Sequence, residues 1–206
     1  QCAVAGDSVV EVPAESLFES EAQILITDSG ERVRGTPALA KRYLELPPPD
    51  LEHAEPDLER LAAAASLDDT SLATLALLPD HLRASGFRGT AVGCEGHLLD
   101  WEAGNTESTA YAVAFDLGTT TLVGTLLNTV DGRELAVAAA MNPQISVGDD
   151  VISRIAAARD SRDHVLRMQK SVVHAFNELI ERLCRTAKVP REQIYEASVA
   201  GNTTMQ

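Results

Sequence analysis

Residues 116 to 121, Asp-Leu-Gly-Thr-Thr-Thr, set a carboxylate, a glycine and three consecutive hydroxyls between two runs of strand-forming apolar side chains. These residue types suit phosphate. A tight turn calls for a residue that tolerates positive φ, and Gly118 provides it while letting the backbone approach a ligand closely. Successive N–H groups around such a turn form an anion nest, and Thr119, Thr120 and Thr121 add hydroxyl donors. Asp116, at the end of the first run, is the candidate catalytic residue: it can hold a Mg²⁺-bound water or orient an attacking one. Phosphoryl chemistry needs little beyond such positioning and charge stabilisation. The plainer alternative is a turn made by Asp and Gly, with the threonines present for β-propensity.

Two further polar stretches bear on that choice. In "MNPQISVGDDVISRI", residues 141 to 155, the side chains of Asn142, Gln144, Asp149, Asp150 and Arg154 are candidates to line a cleft; the alternative is a loop that caps a helix starting near Asp150. In "AGNTTM", residues 200 to 205, the candidates Gly201, Asn202 and Thr203 fall at the C-terminal end of a strand, where open α/β sheets place ligand contacts. Asn202-Thr203-Thr204 also matches a glycosylation sequon, which reads as chance because no secretory leader is evident.

The elements that must position these groups follow from composition and period. Residues 8 to 12, "SVVEV", look like a strand end, and "QILI", 23 to 26, is a short strand candidate. Pro47, Pro48 and Pro49 mark a stiff, extended linker. "DLERLAAAA", Asp57 to Ala65, reads as a short helix, and "DTSLATLALLPDHLRAS" as a second one interrupted at Pro79. "GFRGTAVGCEGHLLDWEAGN" gives two strands with glycine turns. Then come three β-rich runs, 111 to 118, 119 to 128 and 134 to 141, the last two joined through the hairpin signal Asp131-Gly132. A long helix follows from about Arg162 to Ala187, with Val165, Val172, Phe176, Leu179 and Leu183 on one face, before Pro190 and a last strand ending at Gly201-Asn202. Three antiparallel strands, a helix and another strand are the opening of a ribonuclease-H-like, actin-like lobe. That order favours the phosphate reading over the plain hairpin.

Composition bounds the function. The chain has 206 residues, 45% of them hydrophobic, and a formal net charge of −14, which argues against a nucleic-acid partner. No run of about 18 apolar residues predicts a membrane span. Cys2, Cys94 and Cys184 are far apart, without CxxC or zinc spacing, so no metal site is assigned and the thiols are expected reduced, in a cytoplasmic protein. His53, His81, His97, His164 and His174 join no Ser or Cys motif and read as surface or satisfied core residues.

Taken in order, "VAFDLGTTTLVGTLLN", "MNPQISVGDDVISRI" and "VAGNTTMQ" resemble the ATPase part of the reductive activators of corrinoid proteins, in the acetate and sugar kinase, Hsp70 and actin superfamily. Upstream, "GDSVVEVPAES", "LELPPPDLEHAEPDLERL" and "LPDHLR" are similar to that family's linker and middle domain. The resemblance implies an α/β fold of mixed sheets. Residues 1–12 would end a ferredoxin-like domain, 13–49 form a linker, 50–107 a small middle domain and 108–206 the first part of the actin-like ATPase domain, incomplete at its C-terminus. It also implies ATP and Mg²⁺ as cofactors, a [2Fe-2S] cluster held upstream, and an ATP-dependent transfer of one electron to a Co(II) corrinoid, giving Co(I). The partner would be the corrinoid protein of a methyltransferase system, with a homodimer allowed. Asp116, Gly118, Thr119, Thr120 and Thr121 match the first phosphate motif; Gly201, Asn202 and Thr203 match a second segment near the cleft. Asn142, Pro143 and Gln144 match a stretch to which no role is assigned, and Cys2 is not assigned to iron. On this reading the chain by itself lacks both the cluster and part of the nucleotide site. The rivals are a small-molecule kinase of the same superfamily and an actin-like assembly protein.

Overall fold

The computed structural model describes residues 38–50 and 55–205, all within one compact unit, Val33–Gln206. The strand candidates at 8–12 and 23–26 lie outside the described residues. Two mixed four-stranded sheets, each backed by helices, make up the unit.

The smaller sheet has the order β1-β3-β4-β2, with β1 Leu39–Glu45, β2 Asp69–Thr70, β3 Arg88–Cys94 and β4 His97–Ala103. β3 and β4 form a hairpin through Glu95 and Gly96, both at positive φ (49° and 87°), the pairing of a tight turn whose twist matches that of its strands. Helices α1, Asp57–Ala65, and α2, Leu72–Ala84, pack Leu61, Leu78 and Leu82 against Ala91, Leu98 and Trp101. Two expectations change here. Leu39–Glu45, read from the sequence as part of the linker, is a strand paired antiparallel with β3 along its whole length. The second helix is not interrupted: Pro79 lies inside α2. The carbonyl deprived of a partner by a proline belongs to the residue four back, here Leu75, which faces solvent, while buried Leu78 and Leu82 hold the following turn to the sheet.

The larger sheet has the order β7-β6-β5-β8, with β5 Tyr111–Leu117, β6 Thr121–Asn128, β7 Arg133–Met141 and β8 Ile194–Gly201. β5, β6 and β7 are antiparallel neighbours and β8 returns parallel to β5, the expected order of the opening of an actin-like lobe. Gly132, at φ 69°, closes the β6–β7 loop as its sequence predicts. Two helices precede β8: α3, Val151–Asp160, the helix that the alternative reading starts near Asp150, and the long α4, Arg162–Ala187. α4 covers one face of the sheet, burying Val172, Leu179 and Leu183 against Val113, Phe115, Leu117, Leu122 and Leu126, with Phe176 stacked on Phe115 at 4.2 Å between ring centroids. Val165 is the exception on the predicted face. It sits in the first turn, beyond the sheet, and is exposed.

The sheets meet through Leu39, Val92 and Ala110, with Tyr195 of β8 packed against them. The Tyr195 hydroxyl lies 2.9 Å from Asp100 Oδ2 and 2.8 Å from Glu102 Oε1 of β4, and Lys41 Nζ of β1 donates to Glu102 Oε2 at 2.7 Å. Burial, and then the charges of Asp100 and Glu102, push the Tyr195 phenol far above its ordinary value. None of the described helices is long and apolar enough to cross a membrane.

Candidate functional site

All three polar motifs lie at one edge of the larger sheet. Asp116 pairs with Ala200 and Leu117 with Gly201 across the parallel β5–β8 ladder, so both strands deliver their C-terminal ends to the same place. Met141, at the end of β7, is opposite Thr121 at the start of β6. Residues 118–121 and 201–204 are thereby neighbours, and residues 142–146 enter beside them.

The loop between β5 and β6 is a tight hairpin in which the Gly118 N–H donates to Thr121 O at 3.0 Å. Glycine is needed here, but not for the reason expected from the sequence: Gly118 is not among the residues at positive φ. A Cβ at position 118 would lie 2.6 Å from the Thr121 carbonyl oxygen, well inside contact distance, so the close approach of the two strands excludes any side chain. Strand alternation puts Leu117 in the core under α4 and Asp116 on the opposite face, where it is exposed. Among the described residues the N–H groups of Thr119 and Thr120, the three threonine hydroxyls and the Asp116 carboxylate make no hydrogen bond. Gly201, Asn202 and Thr203 are exposed, and Asn202 Oδ1 accepts from the Thr204 N–H at 3.0 Å, a short side-chain turn that ends β8.

Of the residues 142–154 read as candidates to line a cleft, Gln144 and Arg154 border a cavity between α3 and α4, while Asp150 takes the alternative role of helix cap. Asn142 and Arg154 are 1% and 4% exposed, and Gln144 is buried with them. Asn142 Nδ2 donates to Gly118 O at 2.8 Å and its backbone N–H to Thr120 O at 2.8 Å. Arg154 Nη2 donates to Thr119 O at 2.8 Å and Nε to Gly148 O at 2.8 Å. Gln144 Oε1 receives Asn142 Nδ2 at 3.4 Å and Arg154 Nη1 at 3.3 Å. Asp150 instead caps α3, accepting from the Ser153 N–H at 2.7 Å while Ser153 Oγ answers the Asp150 backbone; those bonds hold its carboxyl below the usual range. Burial lowers the Arg154 pKa, opposed by the charges of Asp149 and Asp150.

An open, mostly apolar cavity of about 400 Å³ lies under the loop between α3 and α4, lined among others by Leu117, Gln144, Arg154, Met168, Val172 and Thr204. It is on the α4 side of the sheet, away from Asp116, and so is not the place where phosphate would meet the carboxylate. Among the described residues no three His, Cys, Asp or Glu side chains gather as a metal site, and Cys94 and Cys184 are free thiols.

The chain is similar to known proteins over most of its length. A family model described as "RACo middle region" matches residues 111–206, and one described as "RACo linker region" matches 29–108, so the two meet at the junction of the sheets. Residues 50–107, expected above as a middle domain, lie in the linker match; of residues 108–206, expected as the opening of an ATPase domain, 111–206 lie in the middle match. The corrinoid activation enzyme RamQ of Eubacterium limosum is 33% identical over 109 residues, 52% of this chain and 18% of that protein. A solved structure described as a reductive activator for corrinoid, iron-sulfur protein superposes with a TM-score of 0.67 at 33% identity, covering 86% of this chain and 30% of that one. The chain thus spans less than a third of either relative.

Proposed function

We propose that this chain, which belongs to the family of reductive activators of corrinoid proteins, contributes one side of an ATP site that serves the reductive activation of a corrinoid protein. One observation carries the reading. The open N–H groups of Thr119 and Thr120, the hydroxyls of residues 119–121 and the open carboxylate of Asp116 share a sheet edge with Gly201–Thr204, at the C-terminal ends of two adjacent parallel strands. Backbone N–H groups at a tight turn bind anions without needing a basic side chain, so the acidic charge of the chain as a whole is no obstacle.

In this reading Thr119, Thr120 and Thr121 hold phosphate oxygens, and Asn202 and Thr203 approach the same ligand from β8. Asp116 fits a Mg²⁺ ion, which keeps several waters and takes only one or two carboxylates besides the phosphates. When bound, the ion neutralises charge on the phosphates. Asp116 holds it or its water in place, and Gly118 keeps the loop narrow enough for carboxylate and N–H groups to face one ligand. The described residues do not fit a [2Fe-2S] cluster, and no electron-transfer step is placed on them. The electron for Co(II) and the contact with the corrinoid protein belong to the reading of the whole gene product. Its support is the linker match, which a small-molecule kinase has no need of, and the names of the relatives.

The test uses the full-length gene product, a corrinoid protein in its Co(II) state and a low-potential reductant. Appearance of Co(I) by visible absorption is expected only with Mg-ATP, and Asp116→Asn is expected to remove it. Co(I) formation at the same rate without ATP, or an unaffected Asp116→Asn variant, contradicts the reading.

A further inference from the structure

We infer that Arg154, together with Asn142 and Gln144, forms a positioning device that holds the 118–121 loop in the shape in which its N–H groups face a phosphate. The inference rests on the phosphate reading of that loop and gives a role to the Asn-Pro-Gln stretch.

Three consecutive carbonyls are tied from one side. Gly118 O and Thr120 O accept from Asn142, and Thr119 O accepts from Arg154. In a trans peptide the C=O of one residue and the N–H of the next point in opposite directions. Fixing Gly118 O and Thr119 O from behind therefore aims the Thr119 and Thr120 N–H groups away from Asn142 and Arg154. These are the two loop amides that have no protein partner among the described residues.

Arginine suits this role better than any other cation. Its planar fork presents donors in fixed directions, and here they reach Thr119 O, Gly148 O and Gln144 Oε1 at once. Lysine, with a single charged tip, cannot span all three. The supporting turn is equally constrained: a Cβ at Gly148 would lie 2.4 Å from Ser153 Oγ and 3.0 Å from the Arg154 backbone nitrogen, so glycine at 148 brings its carbonyl onto the guanidinium. Burying a guanidinium is costly unless its donors are satisfied. Here the acceptors include the backbone of the 118–121 loop itself. The loop is thereby ordered before ligand arrives, and the entropy of ordering it is not lost at binding.

The test measures steady-state ATP hydrolysis by the full-length gene product and its Arg154→Lys, Asn142→Asp and Asp116→Asn variants, with thermal unfolding recorded for each. Arg154→Lys keeps the charge and is expected to raise the KM for ATP at least tenfold, with a smaller fall in kcat. A residue that only kept the protein folded would lower the active fraction, so kcat would drop while KM stayed unchanged, and that result overturns the inference. Asn142→Asp, which removes the donor to Gly118 O without changing side-chain size, is expected to raise KM in the same way and carries the test if Arg154→Lys does not fold. Unchanged KM in the folded variants beside an inactive Asp116→Asn variant defeats the positioning role alone. Full activity in Asp116→Asn defeats the phosphate reading and the inference with it.

Discussion

In the smaller sheet Lys41, Glu102, Asp100 and Tyr195 satisfy one another across the junction with β8, and Thr106 Oγ1 adds a bond to the same Glu102 carboxylate. At the edge of the larger sheet Asn142 and Arg154 direct donors at the backbone carbonyls of a neighbouring loop, and Gln144 Oε1 accepts from both of them. Both groups are polar; Asn142, Gln144 and Arg154 are buried, as are the Lys41 and Glu102 side chains of the first group. Side chains that close on one another hold two elements together and leave nothing over for a ligand. Side chains that occupy the carbonyls of a loop leave its N–H groups available. By this criterion the smaller sheet is structural, and the edge of the larger sheet keeps groups open for the proposed nucleotide chemistry.

Substitutions in the two regions should therefore separate stability from ATP use. The largest expected change is in stability, from Lys41→Ala. Lys41 and Glu102 side chains are 3% and 6% exposed, and removing the lysine strands a buried carboxylate, a cost of about 3–5 kcal/mol in urea unfolding. The KM for ATP should stay unchanged in the folded fraction. Gly118→Ala should also cost some stability, because its Cβ meets backbone, but unlike Lys41→Ala it should impair ATP use in the folded fraction. Its new Cβ must push the β5–β6 turn open, and ATP turnover is expected to fall by about 100-fold, the scale seen when one aligned donor is lost from a reaction site. Equal effects of both variants on both measurements would break the contrast.

Tyr195→Phe comes next, at about 1–3 kcal/mol for a lost hydrogen bond to a charged group. It also carries a pH signature. The unfolded phenol ionises near 10, while the folded one is held protonated well above that. Its stabilising effect is complete below about pH 10 and is lost as pH rises further, because the unfolded state releases the proton first. Unfolding free energy measured from pH 9 to 11 should fall more steeply for the native protein than for Tyr195→Phe; parallel curves would refute this. The smallest effect is Ser71→Ala, which removes the side-chain cap of α2 and should cost about 1 kcal/mol with no change in ATP use.

How much of this was legible in the sequence depended on range. α1, α4 and the three strands of the β5–β7 meander follow from local signals: apolar period, turn glycines and Pro190. β1 was not legible, because Leu39–Glu45 is a strand only through pairing with Arg88–Cys94, far along the chain. Pro79 reads as a break because the sequence does not show that Leu78 and Leu82 are pinned by a sheet. The phosphate candidates were recognised by type and spacing, and the register of β5 against β8 brings the two groups together. The role inferred for Asn142 and Arg154 is not legible in the sequence, since their side-chain bonds reach back 24 and 35 residues to a loop with no feature that announces them. The one available hint was an arginine placed where α3 would otherwise bury an apolar residue.

Amide hydrogen exchange at Thr119 and Thr120 in the full-length gene product, with and without a non-hydrolysable Mg-ATP analogue at saturation, tests the phosphate loop most directly. Both amides lack a protein partner among the described residues and should exchange fast in the free protein, then become protected when nucleotide is bound. Bound nucleotide that protects other segments and leaves these two amides unprotected would contradict it.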